Sequence, residues 1–181
     1  MVNDMENFEI TKNGLSFSIF KDEDVWGDGQ HPSTQYMMDL ICKYGVEGKS
    51  VIDIGTGTGI LSVLCGKLGA SHILALDADA HSLEWARKNF KRNNVDVEAE
   101  INNLTDYIDD KADVVLANLP GAVQVENLKT VSKNLNDNGV LIISWWNKLK
   151  FEDYAKGFKV IERIEGVDDY DAYILKKKGD G

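Results

Sequence analysis

The chain has 181 residues, 43% hydrophobic and 28% charged, a profile of one soluble globular domain long enough to bury a substantial core. Its formal net charge of −10 opposes the broad phosphate-neutralising surface that free nucleic acid requires, so no free nucleic-acid partner is expected. No apolar run approaches the roughly 20 residues that span a bilayer, and the acidic start Met1 to Glu9 lacks the basic and apolar stretches of a secretory signal, so the expectation is a cytoplasmic protein without a membrane partner.

Phe8 to Phe20 alternates apolar and polar residues around Asn13-Gly14, the signature of a β-hairpin, which makes residues 1–23 an N-terminal appendage to a domain spanning 24–181. Asp24 to Thr34 is too rich in Gly and Pro for regular structure. Pro32 then starts a helix, with Met37, Leu40, Ile41 and Tyr44 on one face, and Gly45 ends it. Cys42 and Cys65 lie far apart in apolar helical patterns and read as buried thiols, with neither a disulfide framework nor a metal site expected.

Strand and helix patterns alternate from there: strand 50–55, helix 59–69, strand 72–77, helix 80–93, strands 95–101 and 112–118, helix 122–135, strand 139–144, helix 148–156, and strands near 158–164 and 171–177. Val114-Val115-Leu116 and Val140 to Ile143 are apolar on both faces, as in a parallel sheet covered by helices. The prediction is an α/β fold with a doubly wound, mostly parallel seven-stranded sheet, closed at one edge by an antiparallel pairing of the last two strands.

Between the first sheet strand and its helix lies Asp53-Ile54-Gly55-Thr56-Gly57-Thr58-Gly59. Bare glycines there let a small molecule approach the backbone near a helix N-terminus. The dinucleotide fingerprint would put the third glycine at Ile60, which turns the reading away from NAD. Asp-x-Gly-x-Gly-x-Gly resembles the first motif of class I S-adenosyl-L-methionine (SAM) methyltransferases, with Asp53, Gly55, Thr56, Gly57 and Gly59 at the cofactor, and an acid at the strand end also suits a cationic ligand. Asp77, about twenty residues on and at the end of the next strand, is placed to accept from ribose hydroxyls with Ala78 beside it, while Asp79 better fits a helix cap. At the end of the third strand, Asn102-Asn103 lie where an adenine would be gripped. Asn103 is the better candidate, with a turn or cap before Leu104 as the alternative.

Asn118-Leu119-Pro120 ends the fourth strand at the mouth of the sheet, where an amide can accept from an amine and aim its lone pair, so that catalysis comes mostly from alignment. Gly121 and Ala122 follow in place of the proline and aromatic residue usual in enzymes that methylate planar nitrogens. One of Trp145 and Trp146 is expected at the pocket, holding an amine or ring on its face, with Trp145 taken together with Trp26 and Leu119 as substrate-facing candidates.

Val25 to Thr34, Val-Trp-Gly-Asp-Gly-Gln-His-Pro-Ser-Thr, resembles the Ala-Phe-Gly-Thr-Gly-x-His-Pro-Thr-Thr segment of PrmA-type enzymes, which methylate amino groups of a large-subunit ribosomal protein. The likeness continues in order and spacing through Asp53 to Leu61, Lys67 to Ala70, Asp77 to Asp79, Asn89 to Val95, Asp113 to Asn118 and Asn138 to Ile142, covering roughly residues 20 to 177. It implies that the Trp26 to Thr34 loop folds over SAM with Thr34 near its methionine end, and that Asn118 faces the methyl group. As a departure from the family, a counterpart of its separate N-terminal recognition domain is not expected, since only about twenty residues, the hairpin, precede the loop. Asp28 replaces a Thr of the family, and Asn118-Leu119-Pro120 departs from its Asn-Ile-Leu.

A lysine acceptor, with a pKa of about 10.4, must lose a proton before it can attack, and Asp28 and His31 are the loop groups able to take it. His31 has a structural hydrogen-bonding role as its alternative, and no metal role because His72 and His81 belong to other elements. The acidic surface suits a basic protein or an amine-bearing small molecule. The alternatives are an oxygen- or carbon-directed small-molecule methyltransferase and a non-catalytic SAM-binding subunit; the oligomeric state is not legible.

Overall fold

A computed structural model describes residues 5–103 and 108–178. Two strands, β1 (Glu6–Lys12) and β2 (Leu15–Lys21), form the hairpin, and Asn13 and Gly14 take positive φ of 51° and 75°, as a two-residue turn of that hand requires. Then come α1 (Pro32–Tyr44), β3 (Ser50–Ile54), α2 (Ile60–Lys67), β4 (His72–Asp77), α3 (Ala80–Arg92), β5 (Glu98–Ile101), β6 (Ala112–Ala117), α4 (Gly121–Lys133), β7 (Leu135–Trp146), α5 (Phe151–Tyr154), β8 (Phe158–Ile164) and β9 (Tyr170–Lys177).

The seven-stranded sheet has the order β5-β4-β3-β6-β7-β9-β8. All pairings from β5 to β7 are parallel, and β9 runs against both β7 and β8. The chain winds outward from β3 through β4 to β5, then returns to β6 on the other side. The C-terminal ends of β3 and β6 therefore open side by side, and the residues that follow them, Gly55 and Asn118, meet at the switch point where ligands of open α/β sheets bind.

Two apolar cores lie on opposite faces. One gathers α1, α2 and the inner side of α3 against Val51, Val114, Val140 and Ile142, and the other sets Leu128 and Val131 of α4 and Phe151 of α5 against Ile52, Ile54, Leu141 and Ile143. The hairpin contributes Ile10, Phe17 and a fully buried Ile19 to the first core. The edge of β2 facing α3 is tied down by side chains rather than by a third strand. Ser18 N and Phe20 N donate to the Oδ1 atoms of Asn93 and Asn89, and the Nδ2 atoms of those residues donate back to the same two carbonyls. Asn89 of α3 and Asn93, which caps its C-terminus one turn on, thus complete a strand edge.

Three elements start three or more residues from where the sequence puts them, and the other ends shift by at most two residues. β7 begins at Leu135, which pairs with Ala112 ahead of a register shift, and the regular ladder runs from Val114–Val140 onward. The helix expected over 148–156 is the single turn Phe151–Tyr154, because Lys150 is extended and the Leu149 carbonyl accepts from Trp145 Nε1. β5 starts at Glu98 rather than 95. Pro32, Gly45 and Asp79 stand at the helix ends predicted for them. No helix among the described residues is long and apolar enough to cross a membrane.

Candidate active site

The glycine turn is built by the backbone. Gly55 N and Thr56 N both donate to the Leu76 carbonyl at 2.8 and 2.9 Å, and Gly59 N donates to Thr56 O at 2.8 Å. Gly57, at φ 55°, leaves no room for a Cβ beneath the Trp26 carbonyl, and Gly59, at φ 81°, packs against the Phe90 ring. Asp53 lies under this turn, 1% exposed, with Oδ2 accepting from Thr56 Oγ1 at 2.8 Å and Ser62 Oγ at 2.7 Å. Burial pushes its carboxyl up, the two hydroxyls work against this, and the Asp77 charge adds to the rise. Its visible work is to hold the turn from beneath.

Asp77 ends β4, partly exposed, with Oδ2 accepting from Gly57 N at 2.8 Å and Oδ1 from Asp79 N at 3.0 Å. Each oxygen keeps a further lone pair. Ala78 is exposed beside it. Ile101 of β5 sits across from Asp77 in the sheet register and is 61% exposed, an apolar surface beside an acid. Asn102 N donates to the Asp77 carbonyl at 2.9 Å, while Asn103 is exposed just beyond; Leu104, where the alternative turn or cap was expected, lies outside the described residues.

The segment ahead of α1 is strapped across the glycine turn. Thr58 N donates to Trp26 O at 3.0 Å and Thr58 Oγ1 to Gly27 O at 2.6 Å, while the Trp26 side chain stands 83% exposed above them. Asp28 Oδ1 accepts from Gln30 N at 2.8 Å. His31 caps α1, its Nδ1 accepting from Ser33 N at 3.3 Å and lying 2.8 Å from Ser33 Oγ, and its ring meets Tyr170 edge-on at 5.1 Å.

At the mouth, Asn118 Nδ2 donates to Thr34 Oγ1 at 3.0 Å, and Ser144 Oγ donates to Asn118 Oδ1 at 2.8 Å. Residues from α1, the end of β6 and β7 are joined in one hydrogen-bonded chain, with Thr34 4% exposed and Ser144 fully buried. Leu119 is buried against Gly55 and forms part of the floor.

Trp145 is a correction. Expected at the substrate, it is fully buried in the second core, edge-on to Phe151 at 5.3 Å, with its indole N–H donating to Leu149 O. Alternation along β7 turns Trp146 to the face of Ser144, and there it packs against Gly121. Trp146 is the other member of the pair of which one was expected at the pocket, and Thr58, Ile101 and Ser144 complete the site without having been singled out from the sequence as its members. Ser144 carried a signal, being the lone hydroxyl in the apolar run Val140 to Trp146.

The family model "Ribosomal protein L11 methyltransferase (PrmA)" matches residues 25–170. The chain belongs to the ribosomal protein L11 methyltransferase family. Curated members include those of Dictyoglomus thermophilum, 40% identical over 135 residues that are 75% of this chain and 45% of that protein, and of Caldicellulosiruptor saccharolyticus, 34% identical over 88% of this chain and 56% of that one. The chain thus spans about half the length of the curated L11 methyltransferases it matches. Among solved structures, a ribosomal protein L11 methylase from Lactobacillus delbrueckii subsp. bulgaricus superposes with a TM-score of 0.78 at 27% identity, over 87% of this chain and 83% of that one. The 16S rRNA N2 G1207 methyltransferase of T. thermophilus, solved with AdoMet and guanosine, shares the fold at a TM-score of 0.78 and 20% identity, over 96% of this chain and 51% of that one.

Proposed function

We propose that this chain is an S-adenosylmethionine-dependent methyltransferase that acts on an amino nitrogen of a protein. The residues present fit that cofactor. The glycine turn, its own amides held by Leu76, Asp77, Trp26 and Thr56, leads into a helix N-terminus with no side chain projecting from Gly55, Gly57 or Gly59, Asp77 keeps lone pairs for ribose hydroxyls, and Ile101 offers an apolar face to a ring. Bound there, SAM supplies an electrophilic methyl group on a sulfonium.

The hydrogen-bonded chain Thr34–Asn118–Ser144 carries the reading. Ser144 holds Asn118 Oδ1 from one side, which leaves that oxygen a lone pair to accept from an amine N–H and orient the nitrogen for attack. The amine arrives as ammonium, with a pKa of about 10.4 in water. Low-dielectric surroundings favour its neutral form, and Asp28 Oδ2 or His31 Nε2, the atoms not engaged in the loop's own turns, are the groups we assign to take the proton. Trp26 and Trp146 present apolar faces for the alkyl stem.

The relatives are named for ribosomal protein L11, which makes that protein the first acceptor to test. With labelled SAM, Asn118→Ala is expected to slow methyl transfer about 10²-fold by loss of alignment while SAM binding persists. An unchanged rate would remove Asn118 from the reaction.

A further inference from the structure

The hairpin carries an unpaired edge beside the active-site loop. Ser18 and Phe20 turn their backbone groups outward to Asn93 and Asn89. Because backbone direction alternates along a strand, Phe17, Ile19 and Lys21 face β1, and their register partners Ile10, Phe8 and Glu6 face back. Asn7, Glu9 and Thr11 must therefore direct their N–H and C=O groups away from β2. Beyond the hairpin ladder, no backbone partner for these three is found among the described residues.

That edge forms one wall of an open groove of about 440 Å³, whose other wall is Asp28, Gly29, Gln30 and Gln35. The far wall is thus the loop that runs directly into His31 and Thr34, and Thr34 touches Asn118. The groove's charge is acidic. Lys12 is held by Asp39 at 2.7 Å and Lys21 by Glu6 at 3.8 Å, so both hairpin lysines are neutralised. Glu9 and Asp28 make hydrogen bonds but no ion pair among the described residues.

We propose that β1 takes an extended, lysine-bearing segment of the acceptor protein as a third strand, pairing with Asn7, Glu9 and Thr11 and delivering its amine past Asp28 towards Asn118. Main-chain pairing supplies affinity independent of side-chain identity, and the Glu9 and Asp28 carboxylates select cationic residues at alternate positions. Two copies paired antiparallel through β1 about Glu9 would set the two Glu9 carboxylates opposite each other, which disfavours that pairing. The inference rests on the protein-amine reading above.

The test uses the full chain, SAM and a capped eight-residue peptide of alternating Val and Lys, with a backbone N-methylated analogue and a Val/Glu peptide as controls. Amide hydrogen exchange followed by NMR is expected to show protection of Asn7, Glu9 and Thr11 on adding the Val/Lys peptide and none with either control. Glu9→Pro, which removes an outward N–H without touching the hairpin ladder, is expected to weaken peptide binding about tenfold; Glu9→Gln separates the charge effect from the backbone effect. Retained SAM affinity in both variants shows that the cofactor site and the fold survive. Equal binding of the N-methylated peptide, no protection of the three amides, or protection that appears without peptide and grows with protein concentration would overturn the proposal. Loss of SAM binding by the unmodified chain would instead overturn the methyltransferase reading.

Discussion

Asn118 is held by residues that sequence spacing does not connect. Thr34 and Ser144 lie 84 and 26 positions away, and only the order β3-β6-β7, with α1 packed on that face, brings the three side chains into one chain of hydrogen bonds. Ser144 acts as a positioning residue. Ser144→Ala is expected to lower kcat about tenfold, with KM for SAM unchanged, and Ser144→Thr to restore part of the loss; equal kcat in the alanine variant would show that Asn118 is oriented by something else. Thr58→Val removes the hydroxyl that donates to Gly27 O, and is expected to weaken SAM binding about threefold to tenfold through a loosened strap, measured by titration calorimetry. Asp77, the glycines and Asn118 were legible because each stands at a strand end in a repeating pattern. Ser144 carried only the signal of a lone hydroxyl in an apolar strand, which declares no partner. Trp145 and Trp146 could not be told apart because helices cover both faces of β7, so alternation gives a side for each but no difference in burial between the two faces.

At the scale of elements, the hairpin is the part whose independence is least simple. Its sequence announced two strands and a turn, and these are present, yet Ile19 is buried in the core shared with α1 and α2. Ile19→Ala is expected to cost about 2–5 kcal/mol by urea denaturation, the cost of a cavity in a packed core, whereas an independent appendage would lose almost nothing. Asn89 and Asn93 were read only as part of a resemblance to other chains. Their use as substitutes for a strand edge is a contact between α3 and β2, some 70 residues apart in sequence, and no local pattern encodes it. The last helix shrank to one turn for a comparable reason, since a tertiary hydrogen bond from Trp145 claims the Leu149 carbonyl.

Across the whole molecule, the parallel order and the reversed strand β9 follow from the apolar runs and the short β8–β9 connection. The acid dependence of stability is written in a few buried carboxylates. Burial works against the charged form of Asp171, but the Arg163 guanidinium at 2.7 Å, the Gly166 amide and the Tyr173 hydroxyl outweigh it and hold the carboxyl below its ordinary value. Asp22 behaves alike, its burial outweighed by the His81 ring and the Trp85 indole. With native values below the unfolded value of 3.8, the unfolded chain binds protons first as pH falls. The stabilisation is therefore present above that value and is lost as pH drops through the lower native ones. Urea midpoints measured from pH 7 down to pH 3 should fall steeply at the acid end, and Asp171→Asn should be less stable at neutral pH with a flatter acid limb; a limb of unchanged slope would contradict the assignment.

The turn between β3 and α2, closed by Asp77 and strapped by the Trp26–Gly27 backbone, is the site assigned to S-adenosylmethionine. Titration calorimetry of the chain with SAM and S-adenosylhomocysteine, using NAD as control and Asp77→Ala as the site variant, tests it most directly. Micromolar binding of both adenosyl ligands, none of NAD, and loss of affinity in the variant with its melting temperature retained are expected. Absence of SAM binding, a preference for NAD, or unchanged affinity in Asp77→Ala would contradict the assignment.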